Sequence, residues 1–351
     1  MINRLLSILV LLSFSGSISA ENYAFLISAG EAESDATIYN SEYWYDLFLV
    51  YEYLLLEEQY DSLNVFVFYG NGNDFNTSNS RYKKEMHNWG QITDYNNSYL
   101  TMSSVISSLN NMITEEDNIL FYWVVGHGWR NYPYSDDDYR VCIENYNEEI
   151  DKAHLITMIN SITHYKKRKI FWMTCQSGAL GGGSANPDNL ITTLVTSSSS
   201  NEDSYSFWFN NEPHSAYNFA LFSLSSGFFP NGNTCNLSQV CYGMNNVDSL
   251  LSINELFIGI NSFSYSDINS NNCPLNPCLF DVGGISNKIF IGERKELKNV
   301  AIDVSSSYWL ERMDLSNVVL DENTNIVINA DINCEMEDNV FVPLNATLKI
   351  E

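Results

Sequence analysis

Two short apolar runs, Ile119–Val125 and Ile170–Met173, constrain this chain more than any other feature. Neither alternates polar with apolar residues, and each is only long enough for a strand. Runs of that kind form strands covered on both faces, as in the middle of a parallel sheet. Gly126-His127-Gly128 cuts off the first, and Thr174-Cys175-Gln176-Ser177-Gly178 cuts off the second. Between them Leu155, Met158, Ile159 and Ile162 recur at helical spacing, with Asp151 where a helix cap belongs. Strand, helix, strand predicts a parallel crossover, with the two strands side by side or nearly so. Their carboxyl ends then share one edge of the sheet, where open α/β sheets place their sites. An imidazole and a thiol are thereby predicted on one rim, each beside glycine. Histidine can take a thiol proton and leave a nucleophilic thiolate, and glycine lets backbone N–H groups approach an oxyanion.

The amino terminus predicts export. After Met1-Ile-Asn-Arg4 come an almost wholly apolar Leu5–Phe14 and then small residues to Ala20, the pattern of a secretory signal peptide over residues 1–20, cleaved after Ala20. It is too short for a membrane span, and no other apolar run reaches the needed length. The product is expected to be secreted or otherwise exported, to the periplasm, the cell surface or an endomembrane lumen. A net charge of −26 argues against nucleic acid or an anionic membrane as partner. Seven cysteines leave one thiol over, and Cys175 is the natural one. Cys235 with Cys241 and Cys273 with Cys278, within or between the pairs, read as disulfide partners in preference to zinc ligands. The Asp136–Asp138 run reads as a solvated loop, so neither metal nor cofactor is expected.

Along the chain, Tyr23–Ile27 and Val65–Tyr69 predict strands, with a helix between them over residues 42–58. Met102 to Ile113 predicts a second helix, and Tyr139 to Ile150 a hairpin. Leu190–Thr196 predicts a further strand, followed by helices at Tyr217–Leu224 and Ile253–Ile260 and a last strand at Lys288–Ile291. From about Glu296 short β-like runs take over. The expected organisation is one α/β domain over residues 21–295 and a small β-rich module over 296–351, which stabilises the chain or attaches it to a surface.

The apolar strand before His127-Gly128 and the one before Cys175-Gln176-Ser177-Gly178 resemble those of the caspase-fold cysteine peptidases, most closely the legumain family. The resemblance spans about residues 22–293 and is sharpest around His127 and Cys175. It implies a caspase-like, mostly parallel sheet flanked by helices. It also implies an endopeptidase of peptide or protein substrates that works through a thioester. Cys175 is then the nucleophile and His127 the base, with the N–H groups of Gly128 and Cys175 receiving the oxyanion. Ile38-Tyr39-Asn40-Ser41-Glu42-Tyr43 matches a family segment in which Asn40 falls on the asparagine supporting the histidine. The segment from Ser197 and Ser198 through Tyr205 matches a border of the substrate pocket. Two pocket positions depart from the family: Glu42 stands where it has arginine, and Tyr43 where it has histidine. A carboxylate there favours Lys or Arg before the scissile bond. Met173 and Gln176 also depart from the legumain pattern around the cysteine. A transpeptidase or ligase of the same fold, and a non-catalytic caspase-like binding protein, are the competing expectations.

Overall fold

The computed structural model describes residues 21–29, 41–75, 90–114, 118–144, 148–184, 186–187, 190–210, 212–230, 233–235, 252–263 and 276–286. From residue 294 onward it describes only the backbone of 294–298, 301–302, 306–316, 319–320, 325–336 and 347–350. The segment 1–20, Asn40 and the strand expected at Lys288–Ile291 lie outside the described residues.

Six strands form the central sheet, in the order β2 (Val65–Tyr69), β1 (Asn22–Ser28), β3 (Ile119–Val125), β7 (Lys167–Met173), β8 (Thr192–Thr196) and β11 (Cys278–Phe280). All pairs are parallel except β8–β11. The expected mostly parallel α/β class is the one observed, and β3 and β7 are direct neighbours. Alternate side chains divide between two cores. Phe121, Trp123 and Val125 of β3 point into one, which α1 (Ser41–Leu56), α4 (Ala216–Ser226) and α5 (Ile253–Asn261) cover with Trp44, Leu47, Phe48, Phe219 and Leu256. Leu120, Tyr122 and Val124 point into the other, under α2 (Tyr99–Leu109) and α3 (Lys152–Ile159), which contribute Met102, Ile106 and Leu155. Burial on both faces explains why the strand sequences do not alternate.

The helix at Lys152 starts where Asp151 accepts the N–H of His154 at 2.9 Å, which is the cap expected. The chain leaves β1 by α1 on one face and leaves β3 by α3 on the other. β1 and β3 therefore flank the switch point of the sheet, and a crevice opens at their carboxyl ends.

Two small additions surround that crevice. One is a three-stranded antiparallel sheet of β4 (His127–Arg130), β5 (Tyr139–Glu144) and β6 (Glu148–Asp151). The other is the hairpin of β9 (Ser206–Phe209) and β10 (Glu212–Ser215). The hairpin is fastened to α1 inside the core. Asp46 meets His214 Nδ1 at 2.8 Å and accepts the N–H of Ser215 at 2.9 Å, with both side chains of the pair fully buried.

The later backbone forms β12 (Arg294–Lys298), β13 (Ala301–Ile302), β14 (Ser306–Ser316), β15 (Val319–Leu320), β16 (Asn325–Met336) and β17 (Thr347–Ile350). Every pairing among them is parallel: Arg294 with Arg312, Ser306 with Ile326, Asn325 with Thr347 and Ala301 with Val319. Parallel neighbours about 20 residues apart along the chain make a coil in which each turn stacks on the last. The boundary expected between residues 295 and 296 runs through β12, which pairs with β14. Among the described residues no helix is long and apolar enough to cross a membrane.

Candidate active site

β3 and β7 end level with one another. Val125 lies opposite Met173, and the Gly126 N–H donates to the Met173 carbonyl at 3.2 Å. His127 and Cys175 therefore each stand two residues beyond matched strand ends. Gly128 closes the gap. A Cβ built on it would lie 2.5 Å from the Cys175 carbonyl oxygen, 2.7 Å from Thr174 Oγ1 and 2.9 Å from Tyr139 Oη. Only glycine lets the two loops touch in this way.

The cysteine loop is braced from below. Tyr139 Oη bonds to Thr174 Oγ1 and accepts from Trp172 Nε1 at 3.0 Å. The Thr174 carbonyl accepts the hydroxyls of Ser197 at 3.2 Å and Ser198 at 3.1 Å. Ser198 Oγ in turn accepts the Ser177 N–H at 3.1 Å, and Ser177 Oγ accepts the Ser198 N–H at 3.2 Å. Ser197 and Ser198, expected at the substrate pocket, are thus buried and engaged in holding the loop. The more exposed part of that segment runs from Ser199 to Tyr205.

Gln176 takes a left-handed conformation, φ 55°, and its N–H donates to the Glu202 carbonyl at 2.7 Å. Its side-chain oxygen accepts the Arg130 N–H at 3.0 Å, while Arg130 also reaches Asp136 and Asn201. The residue after the cysteine is therefore fixed from two sides. Cys175 itself is half-buried, and its Sγ accepts the N–H of Ser204 at 3.3 Å. Among the described residues no acceptor meets the Cys175 N–H, which leaves it available to an oxyanion.

Burial sets the resting protonation of the pair. It pushes the Cys175 thiol above the ordinary range, the Ser204 N–H offsets part of this, and Asp203 and Glu42 add to the rise. Burial also lowers the His127 imidazole. Both shifts favour the neutral thiol and neutral imidazole over a thiolate–imidazolium pair.

Two neighbouring residues of α1 border this pair. The hydroxyl of Tyr43 meets His127 Nε2 at 2.8 Å, and the two rings stand edge to face. Glu42 is largely buried, and desolvation raises its carboxyl to about 7, with the Ser206 hydroxyl opposing the rise and Asp46 reinforcing it. From sequence, both Glu42 and Tyr43 fall at the substrate pocket, and support of His127 is assigned to Asn40, not to Tyr43. The available signal was a phenol in the first turn of the helix after β1, within reach of the rim.

Cys278 differs from expectation. It is a free thiol on β11 opposite Thr196 of β8, not a member of a loop disulfide. A strand position turns its side chain toward Thr196, and that hydroxyl and burial act on it in opposite directions. Gly182 and Gly183 are packed against Asp136 and Asp137. Asp136 pairs with Arg130, and Asp137 accepts the Ser184 N–H and hydroxyl, so protein groups engage these carboxylates. Among the described residues no group of three His, Cys, Asp or Glu is arranged to hold a metal ion.

Two caspase structures are similar to this chain. One is caspase-1 from Spodoptera frugiperda, at 13% identity and TM-score 0.42 over 75% of this chain and 86% of that one. The other is a pro-Sf-caspase-1, at 13% identity and TM-score 0.41 over 74% of this chain and 91% of that one. Neither a known family pattern nor a curated relative matches the sequence.

Proposed function

We propose that the chain is a caspase-fold cysteine endopeptidase of the legumain-like kind, cleaving preferentially after Lys or Arg. The observation that carries the catalytic part is the contact of Gly128 with the Cys175 main chain at two level strand ends. In this reading Cys175 Sγ attacks the scissile carbonyl as its proton passes to His127, forming a C–S bond and an oxyanion. The Cys175 N–H receives that oxyanion, with Gly128 as the second donor. Collapse breaks the C–N bond, and His127 returns the proton to the leaving amine. Water, deprotonated by His127, then hydrolyses the thioester.

The neutral resting pair fits this sequence, because proton transfer accompanies attack instead of preceding it. Specificity rests on Glu42, whose field reaches Cys175. A buried carboxylate favours a cationic side chain by direct pairing and leaves a neutral amide without compensation for its charge.

Export is part of the same proposal. β1 begins at Asn22, two residues beyond Ala20, and the Glu21 N–H donates to Asn118 Oδ1 at 3.2 Å. A new terminal amine at Glu21 can keep that bond. A panel of fluorogenic peptides with Arg, Lys, Asn or Asp before the scissile bond tests the whole reading. Cleavage after Arg and Lys, abolished in Cys175→Ala, supports it. Cleavage after Asn alone removes the specificity claim, and activity surviving in Cys175→Ala removes the mechanism.

A further inference from the structure

We propose that Tyr43 is a positioning residue for His127, its hydroxyl oxygen accepting the Nε2 proton and so fixing Nδ1 as the nitrogen that receives the thiol proton. The inference rests on the reading of His127 as the base.

A neutral imidazole carries one N–H and one basic nitrogen. Nε2 lies 2.8 Å from Tyr43 Oη, so one of two arrangements holds. Were the phenol to donate to Nε2, the ring proton would sit on Nδ1 and no lone pair would remain for the thiol. With Nε2–H donating to the phenol oxygen, Nδ1 keeps its lone pair. The same bond persists once the ring is charged. When the Cys175 proton arrives at Nδ1, the imidazolium has an N–H on each nitrogen, and Tyr43 Oη still accepts one of them. The other leaves with the amine when the C–N bond breaks. A bond that strengthens as charge develops lowers the barrier, not merely the energy of the bound substrate.

The placement of Tyr43 suits this task. Its side chain is buried, so bulk water competes little for Nε2. Its ring meets the imidazole edge to face at 5.5 Å and 83°, which limits rotation of both. Its main chain is tied to the end of β1: Ser28 Oγ donates to the Tyr43 carbonyl at 3.0 Å, and Asn97 Nδ2 donates to the Ser28 carbonyl at 2.8 Å. The strand next to β3 thereby sets the height of the phenol against the histidine. Titratable neighbours of His127 among the described residues include Tyr43 on α1 and Cys142, its strand partner on β5.

Tyr43→Phe removes one oxygen and keeps the ring. Losing a hydrogen bond to a charged group predicts about a tenfold to hundredfold fall in kcat/KM, carried by kcat with KM nearly unchanged. Because the charged ring loses an acceptor, the acid limb of kcat/KM moves to lower pH. Nitrogen-15 NMR of histidine-labelled full-length protein reads the tautomer directly, with or without catalysis. The expected result is Nε2–H in the parent and an admixture of Nδ1–H in Tyr43→Phe. A parent ring protonated on Nδ1 overturns the inference, and so does a Tyr43→Phe enzyme with unchanged kcat and pH profile. A purely structural Tyr43 would lower the melting temperature and leave the tautomer alone. Failure of the peptidase reading is separately visible as a parent without activity that depends on Cys175.

Discussion

Gly128→Ala is the sharpest perturbation of the site, because the added methyl has a known place to go. It would stand 2.5 Å from the Cys175 carbonyl oxygen, against an ordinary contact of 3.4 Å or more. One backbone must retreat by about 0.9 Å to restore that contact. Retreat on the far side is resisted, since Thr174 is held by Tyr139, Ser197 and Ser198. Part of the shift therefore falls on β4 and part on the cysteine loop. A misplacement of about 1 Å at reacting groups costs on the order of a hundredfold in rate. The strain itself costs about 1–3 kcal/mol of stability. The assay is kcat/KM on an Arg peptide, beside thermal melting and alkylation of Cys175 by iodoacetamide. A small reagent needs the thiol but no oxyanion site, so alkylation should change far less than turnover. Undiminished kcat/KM in a folded Gly128→Ala protein would refute the claim that this contact sets the reaction geometry.

Other outcomes follow from the protonation states and from the clamp on α1. A basic side chain pairs only with ionised Glu42, so kcat/KM for an Arg peptide should rise with pH through about 7, whereas a peptide with a neutral residue there should lack that limb. In Glu42→Gln the Arg peptide should lose about tenfold or more, and the limb near 7 should vanish. With a neutral peptide the acid limb should lie below the usual histidine value, because burial lowers His127, and the alkaline limb above the usual cysteine value, because burial raises Cys175; a full pH–rate profile checks both. Asp46→Ala leaves His214 and the Ser215 N–H buried without their acceptor, which should cost about 3–5 kcal/mol in urea unfolding.

How much of this was legible follows from where the information lies. β1, β2, β3, β7 and β8 were readable because burial on two faces forces a continuous apolar run. The level ends of β3 and β7 were readable because glycine and polar residues stop both runs abruptly. β4 was missed since His127–Arg130 carries no apolar pattern and is a strand only by pairing with β5. The β9–β10 hairpin was missed for a related reason. Glu212-Pro213-His214-Ser215 looks like a polar loop, and what fixes it is the pairing of His214 with Asp46, 168 residues away in sequence. β11 is a three-residue edge strand, shorter than any periodicity can reveal. In the site, the placement of His127 and Cys175 just beyond neighbouring strand ends was legible from their strand context. The brace formed by Ser197 and Ser198 was not, because a serine run reads the same whether it faces substrate or backbone.

If the proposed function holds, the amino-terminal turns of α1 tie specificity to catalysis. Successive helical residues diverge by about 100° around the axis, so Glu42 and Tyr43 must serve different neighbours. Tyr43 reaches His127, and Glu42 reaches the Ser206 hydroxyl and the field of Cys175. Asp46, one turn beyond Glu42 and so on the same side of the helix, grips His214 of β10. β10 pairs with β9, where Ser215 stands opposite Ser206. A shift of the hairpin therefore moves the partner of Glu42, and a shift of α1 moves the partner of His127. One buried pair at Asp46 and His214 holds both in register. On the proposed function, substrate choice and proton transfer would both depend on this one anchor inside the core.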